Sequence, residues 1–202
     1  GFPLAHGYGL VKGVDSAGSG RGPEVIRANW VSDALVEYVD ILPTFIDLAG
    51  GTPVCELDGE SFKEVLLGKT DKHKKYTFSL QTTRGINQGS DYYGVRSVYD
   101  GQYRYILNFT PEVEFDCAAT STPLYKAWEA QAPQNAKARE LVDRYQHRPG
   151  IELYDVTKDP YCLKNLASDK KYEATLPELD KALNQGMEEA GDQGHRYDRK
   201  DQ

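Results

Sequence analysis

The sequence predicts an α/β fold with a four-stranded, mostly antiparallel sheet and a packed C-terminal helix. The hairpin signal Asp100-Gly101 separates two runs, 93–99 and 103–109, that are rich in aromatic and β-branched residues. A further run, 152–156, alternates between apolar and polar residues as a half-buried strand does. The last helix is indicated by apolar residues at helical spacing, namely Leu176, Leu179, Leu183 and Met187.

The N-terminal part contains one well-marked helix, predicted at 40–48. Apolar residues recur there at helical spacing, Pro43 fits the first turn, and Gly50-Gly51 can end the helix with a left-handed cap. Upstream, residues 1–23 are rich in glycine and lack periodicity, which predicts a long loop. A loop of that length is unusual in a compact domain and is typical of an active-site loop.

The remaining elements follow from shorter signals. Residues 76–82 read as the first of the four strands, after a short helix at 61–67. A helix is predicted at 132–145, in an otherwise mixed stretch between the third and fourth strands. Residues 192–202 are polar and are expected to fray.

Composition excludes several classes of function. The net charge of −7 and the isoelectric point near 5.2 argue against general nucleic-acid binding, which needs a basic face. The three cysteines, Cys55, Cys117 and Cys162, are far apart and predict neither a disulfide framework nor a CxxC metal site. No apolar run approaches the roughly 20 residues that a membrane-spanning helix requires.

Five blocks, taken in order, resemble the sulfatase family. Residues 36–50 are similar to a family helix with the pattern Asp-hydrophobic-hydrophobic-Pro-Thr, and Asp58-Gly59 begins a turn that resembles the next family block. Residues 95–98 and 101–106 resemble the hairpin of the family's smaller subdomain. Residues 152–160, Glu-Leu-Tyr-Asp-Val-Thr-Lys-Asp-Pro, resemble its closing strand and turn.

A finer similarity is to the N-sulfoglucosamine sulfohydrolase (heparan N-sulfatase)-like sulfatases. It is carried by the segment 82–90, by Asn108-Phe109, and by residues 191–194. The resemblance implies hydrolysis of sulfate esters or N-sulfates of glycans, so a sulfated carbohydrate is the expected substrate. Two alternatives remain open: a non-catalytic module that binds sulfated glycans or assists assembly, and a phosphoester or phosphonate hydrolase of the same superfamily.

The same resemblance implies an alkaline-phosphatase-like fold, of which this chain would be the C-terminal part. Residues 1–50 would then be the tail end of the catalytic domain, 51–75 a connecting segment, and 76–202 the C-terminal subdomain. Family members act outside the cytosol, which suggests a periplasmic, secreted or lysosomal location.

The family's chemistry depends on residues that this sequence lacks. Sulfatases use a formylglycine, made from the first residue of a Cys-x-Pro-Ser-Arg motif, and a calcium ion held by Asp and Asn or His side chains. No cysteine here lies in that motif, and neither Asp-His-Gly nor Asp-Asn-Gly occurs. We therefore expect no catalytic or metal-binding residue in this chain and no activity by the chain alone. The nucleophile and the metal ligands would come from a missing N-terminal sulfatase half.

The glycine-rich segment supplies the first candidate for sulfate binding. Lys12 stands at the position of a sulfate-binding family lysine when the register is set by the downstream residues Gly18, Arg21 and Pro23. Counting forward from Gly1 places Tyr8 there instead, and a solvated lysine is the simpler interpretation. His6 would serve as a proton donor if its loop lines the pocket, although a lone loop histidine is usually exposed.

The segment after the first strand supplies the other candidates. Arg84 lies between glycine-punctuated turns, where a guanidinium can bind sulfate or carboxylate with two hydrogen bonds. Thr83 and Asn87 can donate hydrogen bonds to sugar hydroxyls. A surface arginine and two structural polar residues are the competing interpretations. His73 lies in a charged stretch and is expected to be solvated.

Overall fold

The computed structural model describes residues 26, 31–82 and 93–194. They divide into two compact units. The sheet unit contains residues 79–82, 93–98 and 102–194, and the α1 unit contains residues 26, 31–78 and 99–101.

Four strands form one sheet in the order β1-β2-β3-β4. The strands are β1 (Thr77–Gln81), β2 (Val95–Tyr99), β3 (Tyr103–Asn108) and β4 (Ile151–Asp155). β2 and β3 are joined by a tight turn in which Gly101 has a φ of 99°, a conformation that favours glycine. β3 and β4 pair antiparallel, with Tyr105 opposite Leu153. The four-stranded sheet and the Asp100-Gly101 hairpin are therefore confirmed.

One face of the sheet is covered by the C-terminal helix α5 (Thr175–Glu189), as the sequence predicts. Leu179 and Leu183, on the apolar stripe of α5, are fully buried. The hydroxyl of Tyr105 on β3 donates a hydrogen bond of 2.8 Å to the Asp180 carboxylate. The apolar side chains of α5 are thus buried against the sheet, and the hydrogen bond between Tyr105 and Asp180 fixes the helix to β3.

The opposite face carries an aromatic core. Tyr93, Ile106 and Phe115 belong to one buried cluster with Val95 and Tyr154. Two helices close it: α3 (Pro123–Gln131) and α4 (Ala136–Gln146), whose Tyr125 and Tyr145 rings lie 5.3 Å apart.

The helix predicted at 132–145 is present, but its predicted first residue is wrong. The side chain of Asn135 accepts hydrogen bonds from two backbone N–H groups of α4, so the helix begins only at Ala136. The separate helix α3 precedes it. Its signals are Thr122, whose hydroxyl caps the Tyr125 N–H, and Pro123 at the first helical position.

The α1 unit is small. It contains α1 (Ile41–Leu48), entered through a 3₁₀ turn at Tyr38–Asp40, and the short α2 (Lys63–Leu66). The predicted helices at 40–48 and 61–67 are thereby confirmed, with the second shorter than expected. The buried apolar cluster of this unit consists of Ala34, Val36, Phe62 and Val65. No helix among the described residues is long and apolar enough to cross a membrane.

Candidate functional site

The five predicted substrate contacts fall outside the described residues. They are Lys12, His6, Thr83, Arg84 and Asn87. Their roles stay predictions. Three of them belong to the segment 83–92, which follows β1 and precedes β2 in the chain. The described geometry around the ends of these two strands is therefore the part of the candidate site that the structure defines.

A buried ion pair lies where β1 ends. Arg96, on β2, is 4% exposed, and its guanidinium pairs with both carboxylate oxygens of Asp192. The same guanidinium donates a hydrogen bond of 3.3 Å to the backbone carbonyl of Gln81, the last residue of β1. Arg96 thus joins the end of β1 to the segment that follows α5. Gln81, where β1 ends, lies two residues before Thr83 in the chain.

Asp192 is held as a carboxylate. The hydrogen bond from Arg96 is the main cause that lowers the pKa of Asp192. Burial acts in the opposite direction and raises this pKa, whereas the hydrogen bond from the Gly194 N–H lowers it further. Gly194 also lies tightly against the Phe109 ring, because a Cβ there would stand 3.1 Å from that ring. Fraying, predicted for 192–202, is therefore wrong for residues 192–194, and residues 195–202 lie outside the described part.

The closing sequence block forms a turn locked by Asp155. Its carboxylate accepts a hydrogen bond of 2.6 Å from the Thr157 hydroxyl, one of 3.2 Å from Gln102, and one from the Lys158 ammonium. Burial disfavours its charge, but these donors outweigh burial and lower its pKa well below the usual range. The Asp-x-Thr-Lys spacing thus fixes how the chain leaves β4.

Asn165 then continues the sheet with its side chain. Its Oδ1 accepts a hydrogen bond of 2.9 Å from the Leu153 N–H, and its Nδ2 donates one of 3.1 Å to the Ile151 carbonyl. The Leu166 N–H donates to the Leu153 carbonyl at 2.8 Å. These bonds satisfy the outer edge of β4, which would otherwise expose unpaired backbone groups.

The Asp-hydrophobic-hydrophobic-Pro-Thr block forms a second polar lock, in the α1 unit. The buried Asp40 carboxylate accepts hydrogen bonds from the N–H groups of Glu37 at 2.8 Å and Glu60 at 3.0 Å, and pairs with Lys74 at 2.8 Å. Burial raises its pKa, but the Lys74 and backbone donors outweigh burial and lower it. Thr44 adds one bond, because its hydroxyl accepts the Phe62 N–H at 3.0 Å.

The Asp58-Gly59 turn packs directly against the start of α1. A Cβ on Gly59 would lie 2.1 Å from the Val39 carbonyl oxygen, so only glycine fits there without backbone movement. His73 lies in the same region, with a side chain only 8% exposed and its ring against Phe62. The expected solvation of His73 is therefore wrong, because the ring fills space beside Asp40.

The described residues give no metal site, and the aromatic ring of Tyr125 belongs to the core. Among residues 31–82 and 93–194, no group of three or more His, Cys, Asp or Glu side chains could hold a metal ion. Tyr125 is buried, and burial raises its pKa to about 12. It packs against Trp128 and Tyr145, as expected of core aromatics rather than sugar contacts. All three cysteines are free.

Comparisons with known proteins give the same assignment as these blocks. No protein-family model matches the chain. An ulvan-active sulfatase of Formosa agariphila is 32% identical over 172 residues, which make up 85% of this chain and 32% of that protein. A solved 2-O GAG sulfatase superposes with a TM-score of 0.51 and 25% identity, over 76% of this chain and 25% of its own. These relatives support the sulfatase family.

Two more distant neighbours share the fold. One structure, solved in complex with its substrate D-glucosamine-2-N,6-O-disulfate, has a TM-score of 0.56 at 19% identity, and the match covers 85% of this chain and 28% of that one. A phosphonate monoester hydrolase from Silicibacter pomeroyi has a TM-score of 0.50 at 16% identity, and the match covers 81% of this chain and 27% of that one. The sheet with its C-terminal helix is thus the C-terminal part of an alkaline-phosphatase-like sulfatase fold. The chain spans about a third of the length of the curated sulfatases that it matches.

The sequence alone did not predict the Arg96–Asp192 pair, which lies beside the end of β1. Both residues lie inside blocks that carry the sulfatase resemblance, yet they are 96 positions apart. An arginine between the apolar positions Val95 and Val98 of a buried strand is the signal that could have found it, because a buried guanidinium needs an acidic partner.

Proposed function

We propose that this chain is the C-terminal part of a sulfatase that hydrolyses sulfate esters or N-sulfates of glycans. It would contribute substrate contacts, while the formylglycine and the calcium ligands would come from sequence that it does not contain. The observation that carries the proposal is the 32% identity to an ulvan-active sulfatase, of which this chain matches only about a third. The locked turns at Asp155 and Asp40 support it, because they give the family-like blocks defined structural roles.

The proposed substrate contacts are Arg84, Thr83 and Asn87, followed by Lys12 and His6. The Arg96–Asp192 pair supports the first three, because it fixes the end of β1 from which their segment continues. A cationic residue beside a sulfate would stabilise the negative charge that develops on its oxygens during hydrolysis. The described residues do not form a calcium site. We propose calcium and formylglycine for the full-length enzyme alone, where they would supply the electrophilic metal and the nucleophile.

The proposed substrate class is a sulfated glycan. The relatives named ulvan-active sulfatases favour ulvan as the sulfated glycan. The similarity of 82–90 and 191–194 to heparan N-sulfatases favours an N-sulfated glucosamine. Both are sulfated glycans, so a panel of ulvan oligosaccharides and N- and O-sulfated glucosamines separates them. The phosphonate monoester hydrolase shares the fold alone, and a phosphonate monoester belongs in the same panel.

The test is release of sulfate, measured by ion chromatography. The chain alone should release none. The same chain joined to the polypeptide encoded directly upstream should release sulfate from at least one glycan of the panel. Arg84→Ala in the joined protein should lower kcat/KM by about 10-fold or more, because a charged hydrogen bond is lost at the reacting group. Lys126→Ala, an exposed position on α3, is the matched control and should leave kcat/KM unchanged.

Three results would contradict the proposal. They are turnover by the chain alone, the absence of a Cys-x-Pro-Ser-Arg motif in the upstream coding sequence, and hydrolysis of the phosphonate monoester in preference to every sulfated sugar. Binding of a sulfated oligosaccharide by a joined protein that lacks turnover would favour the non-catalytic module.

A further inference from the structure

The segment between β4 and α5 is basic, although the chain as a whole is acidic. Residues 156–172 contain four lysines and two aspartates, namely Lys158, Lys164, Lys170 and Lys171, and Asp159 and Asp169. The complete chain has a net charge of −7. A local excess of positive charge on an acidic protein is the arrangement expected where a negatively charged ligand binds.

Two tyrosines lie beside these lysines. Tyr103 begins β3, and Tyr172 ends the 3₁₀ turn Lys170–Tyr172 that precedes α5. Their rings meet edge to face with centroids 5.9 Å apart, and both residues are partly exposed. The Lys171 ammonium lies over the Tyr172 ring, 5.5 Å from its centroid. A positive charge and two partly exposed aromatic rings are therefore adjacent here.

Lys158 approaches the same two tyrosines. Its ammonium donates a hydrogen bond to the Asp155 carboxylate, and its side chain is 70% exposed. The hydrogen bond with Asp155 is the main cause that raises the pKa of Lys158, and charge interactions with Tyr103 and Tyr172 raise it further. Lys158 is therefore protonated at neutral pH and adds a second positive charge beside the tyrosines.

The charges of Lys170 and Lys171 are available to a ligand. Within the described part of the chain, neither ammonium lies within ion-pair distance of a carboxylate, whereas Lys126 and Lys137 each pair with a glutamate. The Asp169 carboxylate instead accepts the Lys171 backbone N–H at 2.9 Å, which fixes the turn. An anionic ligand would therefore gain contacts with these two lysines without breaking an existing ion pair.

A sulfated sugar matches this combination of side chains. Its sulfate groups accept charge-assisted hydrogen bonds from ammonium groups, and its hydroxyls can bond to tyrosine hydroxyls. The apolar C–H side of a sugar ring can also pack against a tyrosine ring. A nucleic acid is less suited, because it needs a broad basic face and this chain is acidic.

We propose that Tyr103, Lys158, Lys171 and Tyr172 form a binding site for a sulfated glycan, an inference that rests on the proposed function. We call these four residues the Tyr103–Tyr172 site. All four belong to the sheet unit, so binding can be measured with the chain alone. In the full-length enzyme the site would favour long substrates, because a polymer that engages two sites at once gains avidity.

The test measures binding of the chain alone to ulvan and to heparin by affinity electrophoresis, with each polysaccharide also used after chemical desulfation. Lys171→Glu is compared with Lys126→Glu, which reverses the charge of an exposed lysine on α3. Both changes take the net charge from −7 to −9, so general repulsion of the polyanion is equal in the two variants. Lys171→Glu should weaken binding by about 10-fold, and Lys126→Glu by less than about 2-fold.

A second pair of variants tests the aromatic part of the site. Tyr172→Ala should weaken binding by about 5-fold, because the sugar loses the ring against which it packs. Tyr172→Phe keeps that ring and should stay within about 2-fold of wild type. The thermal unfolding midpoint of each variant shows whether the chain is folded when binding is measured.

The outcomes separate this inference from the proposed function. Equal affinity of wild type and Lys171→Glu, or equal binding of sulfated and desulfated polysaccharide, would overturn the site even if the joined protein hydrolyses a sulfated glycan. Affinity that is lost in Lys171→Glu but kept in Lys126→Glu would support the site, even if a joined protein without turnover contradicts the proposed activity. Failure of the wild-type chain to bind either polysaccharide, or tighter binding to duplex DNA, would overturn the site.

Discussion

The helix α5 of the sheet unit buries its large apolar side chains, whereas the helix α1 of the other unit leaves most of its own exposed. In the sheet unit, Leu153, Leu179 and Leu183 are buried between strand and helix, with an aromatic cluster on the other face of the sheet. In the α1 unit, the large apolar side chains of α1 are exposed, and polar contacts around Asp40 hold the helix to its neighbours. The helix of the first unit is therefore held by apolar packing, whereas α1 is held by polar contacts beside the small buried cluster of Ala34, Val36, Phe62 and Val65.

The largest expected effect is in the α1 unit, at Gly59. Gly59→Ala should raise the free energy of the native state by about 4 kcal/mol, because its Cβ would lie 2.1 Å from the Val39 carbonyl oxygen and the turn must move. Amide hydrogen exchange of α1, read as the free energy of opening, measures the change. Gly150→Ala, where the nearest atom would be an ordinary 3.7 Å away, should cost less than about 0.5 kcal/mol. Equal costs at the two positions would show that the turn adapts.

The next effect tests the difference in burial. Leu153→Ala should lower the free energy of unfolding by about 3 kcal/mol, because the Leu153 side chain on β4 is fully buried. Leu42→Ala, at an exposed position of α1, should change it by less than about 0.5 kcal/mol. Chemical denaturation of both variants decides the matter. A similar loss for Leu42→Ala would mean that the Leu42 side chain is covered within this chain.

A smaller effect concerns the Arg96–Asp192 pair in the sheet unit. Asp192→Asn should cost about 2 kcal/mol at neutral pH, because it removes the charge of Asp192 from its ion pair with the buried Arg96. The pKa of Asp192 is lowered in the folded chain, so its contribution is complete above the unfolded value of about 3.9 and is lost as the pH falls through the folded value.

Chemical denaturation at a series of pH values checks whether the stabilising contribution of Asp192 is lost as the pH falls. The gap in unfolding free energy between wild type and Asp192→Asn should be widest near pH 7 and should narrow below about pH 4. A gap that stays constant down to pH 2 would show that the carboxylate charge contributes nothing, and that Asp192 acts through shape alone.

The smallest effect is at the contact between β3 and α5. Tyr105→Phe removes the hydrogen bond to Asp180 while keeping the ring, and should cost about 1 kcal/mol. Tyr161→Phe, at a largely exposed ring, is the control and should be neutral. Thermal unfolding of the three proteins distinguishes a real contribution of this bond from simple packing of the Tyr105 ring.

How much the sequence could predict depends on whether a signal is local. The strands around Asp100-Gly101 and the stripe of α5 follow from periods of two and 3.6 residues, which a short window contains. The start of α4 was misplaced because the alanine-rich run from 132 onward favours helix on both sides of the Asn135 cap. The error therefore concerns where the helix begins and not the type of element.

Long-range features could not be predicted in the same way. The Arg96–Asp192 pair joins residues 96 apart, and no local pattern specifies such a partner. The apolar stripe of α1 predicts a helix, but it does not predict that the helix leaves its apolar side exposed, because burial depends on contacts with distant parts of the sequence. For the candidate site, the resemblance nominated Lys12, Arg84, Thr83, Asn87 and His6, and their roles await the kinetic test.

Amide hydrogen exchange of α1 tests the central claim most directly, compared between the chain alone and the chain joined to its upstream polypeptide. The account predicts that the α1 amides exchange faster than those of β3 and β4 in the chain alone. On joining, α1 should gain protection of about 100-fold or more while the sheet stays unchanged. Equal protection of α1 in both proteins would contradict the proposal that upstream sulfatase sequence completes the fold of this chain.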